Sequence, residues 1–115
     1  MSFFNPESRG TFRNFTSVSA SGTNAAVAVT LAAPGAGRMH HVVGALWSYS
    51  GTPTNGRLTS TGLRGDEIDM DITAGGPGPI LLPPASGEIN TQVTLTLAAG
   101  GVGIVGKLSV WYGTF

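Results

Sequence analysis

The residues most suggestive of chemistry form a glycine-rich string near the end of the chain, Gly101-Val-Gly-Ile-Val-Gly-Lys107. It satisfies Gly-x-Gly-x-x-Gly and the first seven positions of a phosphate-binding loop. A phosphate-binding loop also needs Ser or Thr after the lysine and a helix whose N-terminus faces the phosphates. Here Leu108 follows and opens the strand pattern Leu-Ser-Val-Trp-Tyr. We therefore interpret the string as a Gly-rich hairpin and predict no nucleotide cofactor.

A second candidate is the acidic run from Asp66 to Asp71, which on a strand places Glu67, Asp69 and Asp71 on one face. Carboxylate oxygens at that spacing could bind calcium if a loop added carbonyl ligands. The alternative is the solvent face of a half-buried strand, where water screens the repulsion between neighbouring carboxylates. We favour the solvent face, and these three residues are the metal candidates of the chain.

The two histidines, His40 and His41, are adjacent and therefore point to opposite sides of a strand. That geometry is poor for a shared metal, and the chain has neither a third histidine nor a cysteine. No Gly-x-Ser-x-Gly precedes a helix pattern, so a hydrolytic triad lacks a nucleophile. We predict a half-buried, hydrogen-bonded histidine pair and a protein that is not an enzyme and has no cofactor.

Aromatic residues are the remaining candidates. Four phenylalanines crowd the N-terminal stretch, where core-pattern signals are weak, and Trp111 alternates out of phase with Leu108 and Val110. Exposed aromatic side chains anchor many protein interfaces, although these could instead cover the ends of the fold. The predicted partner-binding residues are Phe3, Phe4, Phe12, Phe15 and Trp111.

Almost every segment of the chain alternates apolar and polar residues with period two, as in Val27, Val29 and Leu31. Gly or Pro interrupts every stretch long enough to attempt a helix, so we predict none. The fold class predicted is all-β, an antiparallel β-sandwich of jelly-roll or Greek-key type with seven or eight short strands. The predicted strands are 11–20, 23–31, 38–49, 57–61, 67–73, 79–82, 89–97 and 102–112.

Length and composition set the boundaries of that fold. The 115 residues fit one domain, which we place at 11–115 after an extended arm at 1–10. Six basic and six acidic residues give zero net charge, so no electrostatic attraction to nucleic acid or to an anionic membrane is predicted. Glycines number 18, and Gly44 and Gly106 fall inside strands, where a bulge or close packing would explain them.

Two segments of the chain are similar in sequence. Val29-Thr-Leu-Ala-Ala33 is similar to Leu95-Thr-Leu-Ala-Ala99, and a glycine-containing turn and an aromatic-rich strand follow each of them. Two similar hairpins would suit a sandwich with approximate internal symmetry, although shared hairpin chemistry could produce the same match.

Three segments, Leu46–Leu58, Asp69–Gly78 and Asn90–Leu108, resemble small β-rich accessory proteins of tailed phages and prophages. The resemblance covers roughly residues 25–112. It implies a virion structural protein, either a capsid cement or decoration protein that stabilises the head shell or a module of a fibre or spike. The implied location is the virion, after synthesis in the host cytoplasm.

The resemblance also implies partners. These are a major capsid protein or another virion protein. Because strand edges and an extended arm can bind a neighbouring subunit, we further hypothesise that the sandwich forms an oligomer, such as a trimer, on a capsid shell, with residues 1–15 latching onto the shell or a sister subunit. The alternative is a module of a tail fibre or head spike that binds carbohydrate or a host receptor. In that case Trp47, Tyr49, Trp111 and Tyr112 could supply stacking platforms.

Overall fold

The computed structural model describes residues 15–65, 67–80 and 85–115, and this part of the chain is all-β, with nine strands and no helix. No segment within it could cross a membrane as a helix. The strands are β1 (Phe15–Thr23), β2 (Val27–Leu31), β3 (His40–Tyr49), β4 (Gly56–Thr61), β5 (Asp69–Ile72), β6 (Gly78–Ile80), β7 (Ala85–Ser86), β8 (Val93–Leu97) and β9 (Val105–Thr114).

The strands form two antiparallel sheets. Sheet A has the order β1-β9-β3-β6, and the two-residue β7 also pairs with β3; sheet B has the order β2-β8-β4-β5. Leaving β7 aside, the first strand pairs with the last, the second with the last but one, and so on inward to the β4–β5 hairpin. A long hairpin rolled up in this way is a jelly roll. The predicted sandwich is confirmed, and its connectivity is of the jelly-roll type.

The core lies between the sheets and consists of the inward members of each alternating strand. Val29 and Leu95 lie opposite each other in sheet B, and Leu108 and Val110 face them from sheet A. All four side chains are at most 1% exposed. Burial of a Val or Leu side chain contributes roughly 1.5–3 kcal/mol, so this layer stabilises the sandwich without disulfides. The alternation in the sequence therefore predicted the core faces correctly.

One irregularity changes the face presented by β3. The register with β9 shifts between Val42 and Gly44, which leaves Val43 as an extra residue. Such a bulge lets the inward positions change from even to odd numbers, from Val42 to Ala45, without breaking the sheet. At Gly106 a Cβ atom would lie 3.2 Å from the Leu97 side chain. The bulge and close packing predicted for these two strand glycines are both confirmed.

Several predicted boundaries need correction. β1 runs to Thr23, β8 begins only at Val93, and β9 runs from Val105 to Thr114, because a ladder extends only as far as both of its strands remain opposed. The two similar segments, which begin at Val29 and Leu95, are not hairpins either. The first segment passes from β2 in sheet B to β3 in sheet A, and the second passes from β8 to β9 in the same way. Since β2 pairs with β8 and β3 with β9, the two segments lie as antiparallel neighbours.

Candidate partner-binding face

The outer face of sheet A is the surface that we define as the candidate site. Directly opposed residues of an antiparallel ladder share a face, and Leu108 and Val110 point into the core, so the residues that alternate with them point outward. The outward residues that form this face are Phe15, Ser17, Ser19 and Ser21 of β1, His41, Leu46 and Ser48 of β3, and Lys107, Ser109 and Trp111 of β9, with Phe115 beyond its end.

One end of the outer face is aromatic. The Phe15 and Phe115 rings meet edge to face with centroids 5.9 Å apart, and the His41 ring meets Phe115 in the same way at 5.0 Å. Ser86 on β7 holds the His41 ring through a 2.9 Å contact between its Oγ and Nδ1. Phe115 remains 50% exposed. This cluster is therefore ordered by its own contacts and still presents apolar surface to the solvent.

The middle of the outer face combines exposed apolar side chains with hydroxyl groups. Trp111 and Leu46 are each 40% exposed, and Trp111 lies opposite Ser17 of β1. The next pair along the same ladder, Ser19 and Ser109, joins its hydroxyls at 2.7 Å. Lys107 is the only charged side chain among the described strand residues of this face. The face can therefore bury apolar area and donate hydrogen bonds, with little charge to desolvate.

Among the described residues, two open hollows bear on the candidate surface. One, of about 320 Å³, is lined by Ser19, Ser21, Lys107 and Ser109 on the outer face of sheet A. The other, of about 490 Å³, lies at the β4–β5 side of the molecule, where Asn55, Arg57, Asp71 and Thr73 contribute to its wall. The first hollow continues the row of hydroxyls beside Trp111. It belongs to the same candidate surface, whereas the second is separate from it.

The structure brings two of the five predicted partner-binding residues together. Phe15 and Trp111 share the outer face of sheet A, since Phe15 is two residues from Ser17, the partner of Trp111 in the ladder. Phe3, Phe4 and Phe12 lie outside the described residues, as does the predicted arm. Sequence reasoning missed Leu46 and Phe115. Both could have been found by extending the alternation, because Leu46 is out of phase with the buried Trp47 and Tyr49 and Phe115 is in phase with Trp111.

The aromatic residues proposed as stacking platforms divide between the core and the surface. Trp47 and Tyr49 are 9% and 4% exposed, and their rings pack on each other with centroids 6.2 Å apart. Tyr112 packs against the core from its edge. Burial raises the pKa of the Tyr49 hydroxyl, which donates a hydrogen bond to the Ala98 carbonyl at 2.6 Å. Of the four side chains, only that of Trp111 is as much as 40% exposed and could stack on a ligand.

The three predicted metal candidates do not share one strand face. Glu67 precedes β5, and its Oε1 accepts a hydrogen bond from the Leu63 amide at 2.7 Å. Asp69 accepts two hydrogen bonds of 2.8 Å from the Arg57 guanidinium. These hydrogen bonds hold the pKa of Asp69 below its ordinary value of 3.8. The placement of Glu67 on the strand face is thus corrected, because its carboxylate closes the turn before the strand. No three His, Asp or Glu side chains cluster as metal ligands in the described part.

The histidine pair takes the predicted form. His40 is 5% exposed; its Nε2 donates to the Ala32 carbonyl at 2.7 Å, and its Nδ1 lies 2.9 Å from Thr114 Oγ1. His41 points to the opposite side and belongs to the aromatic end of the outer face. The two rings therefore serve different surfaces of β3.

The glycine-rich string is a connection between the sheets rather than a hairpin. Gly101 and Gly103 have positive φ angles of 111° and 74°, and the Ile104 amide donates to the Gly101 carbonyl at 3.1 Å. Strand β9 then begins at Val105, where a phosphate-binding loop requires a helix. The string turns the chain from one sheet to the other.

No protein-family model and no curated protein sequence matches the chain. Among solved structures it is similar to the TmCBM61 domain in complex with β-1,4-galactotriose, with 12% identity over 90% of this chain and 82% of that one and a TM-score of 0.43. It is similar to the CBM36-1 domain of a xylanase from a termite hindgut metagenome (Trinervitermes trinervoides), with 12% identity over 82% and 73% of the chains and a TM-score of 0.39. It is also similar to the Drosophila NLP core, with 10% identity over 88% and 97% and a TM-score of 0.39. Nothing about a ligand or partner follows from likeness at this level.

Proposed function

We propose that the chain is a non-enzymatic structural protein of a tailed-phage particle, a cement or decoration protein that binds a capsid or other virion protein through the outer face of sheet A. The observation that carries the proposal is the composition of that face. It presents Trp111, Leu46 and Phe115, each 40% exposed or more, with one charged side chain among its described strand residues. The resemblance to accessory particle proteins supplies the class of partner.

Physical chemistry favours a protein partner for such a face. Apolar and aromatic side chains contribute binding free energy when they leave water, whereas a desolvated charge costs energy unless it is paired. Fully buried interface cores are accordingly depleted in charge and enriched in aromatic residues. A face with little charge can pack at high copy number on a shell without accumulating repulsion.

The proposal is tested on particles of the phage or prophage that encodes the chain. We expect the protein to copurify with the major capsid protein in fixed stoichiometry, and imaging should show extra density of 11.7 kDa per copy on the shell. If purified particles contain the other virion proteins but not this chain, the proposal is wrong.

A pair of variants tests the face itself. Trp111→Ala should lower occupancy on the particle at least tenfold, because a buried interface tryptophan often contributes roughly 2 kcal/mol or more to binding. Val102→Ala is the matched control, since Val102 is 92% exposed in the β8–β9 connection and lies outside the face. Equal occupancy of the two variants would exclude the outer face of sheet A as the binding surface.

A second candidate is a module that binds carbohydrate. It is favoured by one observation, the exposed Trp111 indole next to the hydroxyl-lined hollow of about 320 Å³ at Ser19, Ser21 and Ser109. Jelly rolls occur both in viral capsid domains and in lectins, so the fold is compatible with either candidate. A glycan array separates them: sugar binding that is lost in Trp111→Ala and kept in Val102→Ala would favour this module over the cement protein.

A further inference from the structure

In the described structure the edge strands β1 and β6 of sheet A and β2 and β5 of sheet B differ in how they are protected against pairing with another chain, and the two-residue β7 lies at the same edge as β6. An edge strand presents unpaired backbone N–H and C=O groups, and proteins block such edges with charges, proline or short strands. β5 carries Asp69 and Asp71 on its four residues, and β6 has three residues with Pro79 at its centre. The edges formed by these two strands are therefore guarded.

The opposite edge of sheet A has none of these devices. β1 is nine residues long, with the sequence Phe-Thr-Ser-Val-Ser-Ala-Ser-Gly-Thr, and contains neither charge nor proline. Among the described residues only β9 pairs with it, so within the described structure no strand lies along its other backbone edge. β2, the corresponding edge of sheet B, is also uncharged but has only five residues. β1 is the longest unguarded edge in the described structure.

The exposure of the Val18 side chain is a second, independent observation at the same edge. It lies opposite Val110 in the β1–β9 ladder, and because opposed residues share a face, its side chain is on the core side of sheet A. Val110 is 0% exposed, yet Val18 is 37% exposed. An apolar side chain on the inner face thus remains uncovered where the sheet ends, and a strand added beside β1 would bring a side chain against it.

We propose that β1 pairs in antiparallel fashion with β1 of a second copy of this chain, which joins the two A sheets into one continuous sheet across a two-fold axis. Pairing of two identical strands requires that their opposed side chains neither repel nor clash. β1 meets this requirement because it has no charge to repel and its central residues, Ser17 to Ser21, are all small. The interface is isologous and closes at two copies.

The geometry of this pairing has a consequence for the outer face of sheet A. The two-fold axis that relates the two antiparallel β1 strands is perpendicular to the joined sheet. Rotation about this axis keeps each face on its own side, so the outer faces of both copies lie on the same side of the sheet. Trp111, opposite Ser17 on the neighbouring strand, comes close to the axis in each copy. The pairing itself does not depend on a role in a phage particle, but the dimer would present two binding faces in one plane and gain avidity.

The absence of cysteine from the sequence allows a direct test on the isolated full chain. Single cysteines are placed along β1 as Ser17→Cys, Val18→Cys, Ser19→Cys, Ala20→Cys and Ser21→Cys, and each protein is mildly oxidised at low concentration. In an isologous antiparallel pair only the residue on the axis lies opposite itself, so one position should cross-link much faster than the others. Ala28→Cys on the edge strand β2 is the control and should remain uncross-linked.

Sedimentation equilibrium supplies the second measurement. The unaltered chain should have twice the monomer mass of 11.7 kDa. Val18→Lys should raise the dimer dissociation constant at least tenfold, whereas Val102→Lys, the same change at a 92% exposed loop residue, should leave it unchanged. Thermal unfolding of both variants checks that they are folded.

Four results would overturn the pairing. These are a monomer at every concentration, a trimer, a dimer in which Ala28→Cys cross-links and β1 cysteines do not, and a dimer that Val18→Lys does not weaken although the variant folds. Because no particle is used, these outcomes are independent of those that would overturn the proposed function.

Discussion

His40 shows how one buried polar side chain connects separate parts of the sandwich. Its imidazole bridges the Ala32 carbonyl, after β2, and the Thr114 hydroxyl, at the end of β9, and its ring meets Tyr112 edge to face at 5.5 Å. A buried polar group costs free energy unless it is paired, and here both ring nitrogens have partners. The bridge thereby ties the exit of sheet B to the last strand of sheet A.

Replacement of this ring should be more costly than replacement of its neighbour. His40→Ala removes two part-buried hydrogen-bond contacts, to the Ala32 carbonyl and the Thr114 hydroxyl, and opens a cavity beneath them, so we expect a loss of about 2 kcal/mol in the free energy of unfolding. His41→Ala removes a part-buried hydrogen bond with Ser86 and an edge-to-face contact with the half-exposed Phe115, and should cost about 1 kcal/mol. Urea denaturation of the two variants measures both values. Equal losses would show that the His40 bridge contributes nothing specific.

The Arg57–Asp69 pair predicts a small dependence of stability on pH. Hydrogen bonds from Arg57 lower the pKa of Asp69 below 3.8, so the ion pair stabilises the fold at neutral pH. That contribution is lost as the pH falls through the lowered pKa. Asp69→Asn should therefore reduce the melting temperature slightly at pH 7, and the difference from the unaltered chain should vanish in acid.

An NMR titration checks the cause of this effect. In Arg57→Ala the pKa of Asp69 should rise toward 3.8, since its two hydrogen bonds from the guanidinium are gone. Asp71→Asn is the control for the melting experiment, because Asp71 lies opposite Arg57 in the same ladder, whereas the guanidinium donates its two side-chain hydrogen bonds to Asp69. A larger melting shift in Asp71→Asn than in Asp69→Asn would contradict the role of the pair.

At the scale of elements, the contact between β6 and β3 depends on glycine. Gly78 lies opposite Trp47, and a Cβ atom there would overlap the indole ring. Gly78→Ala must therefore displace either the strand or the buried tryptophan, and we expect a loss of about 3 kcal/mol by overpacking. β6 is held by only three residue pairs to β3, so it has little capacity to absorb the shift.

Gly103→Ala separates packing from backbone strain. Gly103 has a φ of 74°, and a Cβ atom added to it would meet no other atom within 4 Å, so its substitution costs only the left-handed conformation, about 1 kcal/mol. Thermal or urea unfolding of Gly78→Ala and Gly103→Ala measures the free energy of unfolding that each substitution costs. If Gly103→Ala were the more destabilising change, backbone conformation rather than contact with Trp47 would be the dominant factor.

At the scale of the whole molecule, the buried cluster among the described residues begins at Val27 and ends at Val110. If the domain begins at residue 11, a chain that lacks residues 2–10 should keep its melting temperature within about 3 °C. A shift of that size corresponds to well under 1 kcal/mol in a domain of this length. The same deletion should lower occupancy on the particle if these residues act as a latch. Unchanged occupancy would refute the latch, and a large fall in melting temperature would contradict the boundary at residue 11.

Much of the candidate site could be derived from the sequence, because the alternation of apolar and polar residues shows which face of a strand each residue occupies. Alternation does not show which strands are neighbours. Period two identified Trp111 as outward-facing, since Leu108 and Val110 had to face the core. It could not reveal that Phe15 and Phe115, which are 100 positions apart, meet at one end of a sheet. That contact depends on the pairing of the first strand with the last, which is a long-range property.

The sequence by itself determined that the chain is built from alternating strands, that glycine and proline separate them, and that charge is scarce. These are local properties, because a residue's face depends on its immediate neighbours along the strand. Only the tertiary structure decided that the strands form a jelly roll, that Val43 is an extra residue in β3, and that β1 is the longest unguarded edge among the described strands. Any alternating strand can pair with any other, so the choice of neighbours emerges when the two sheets pack around one core.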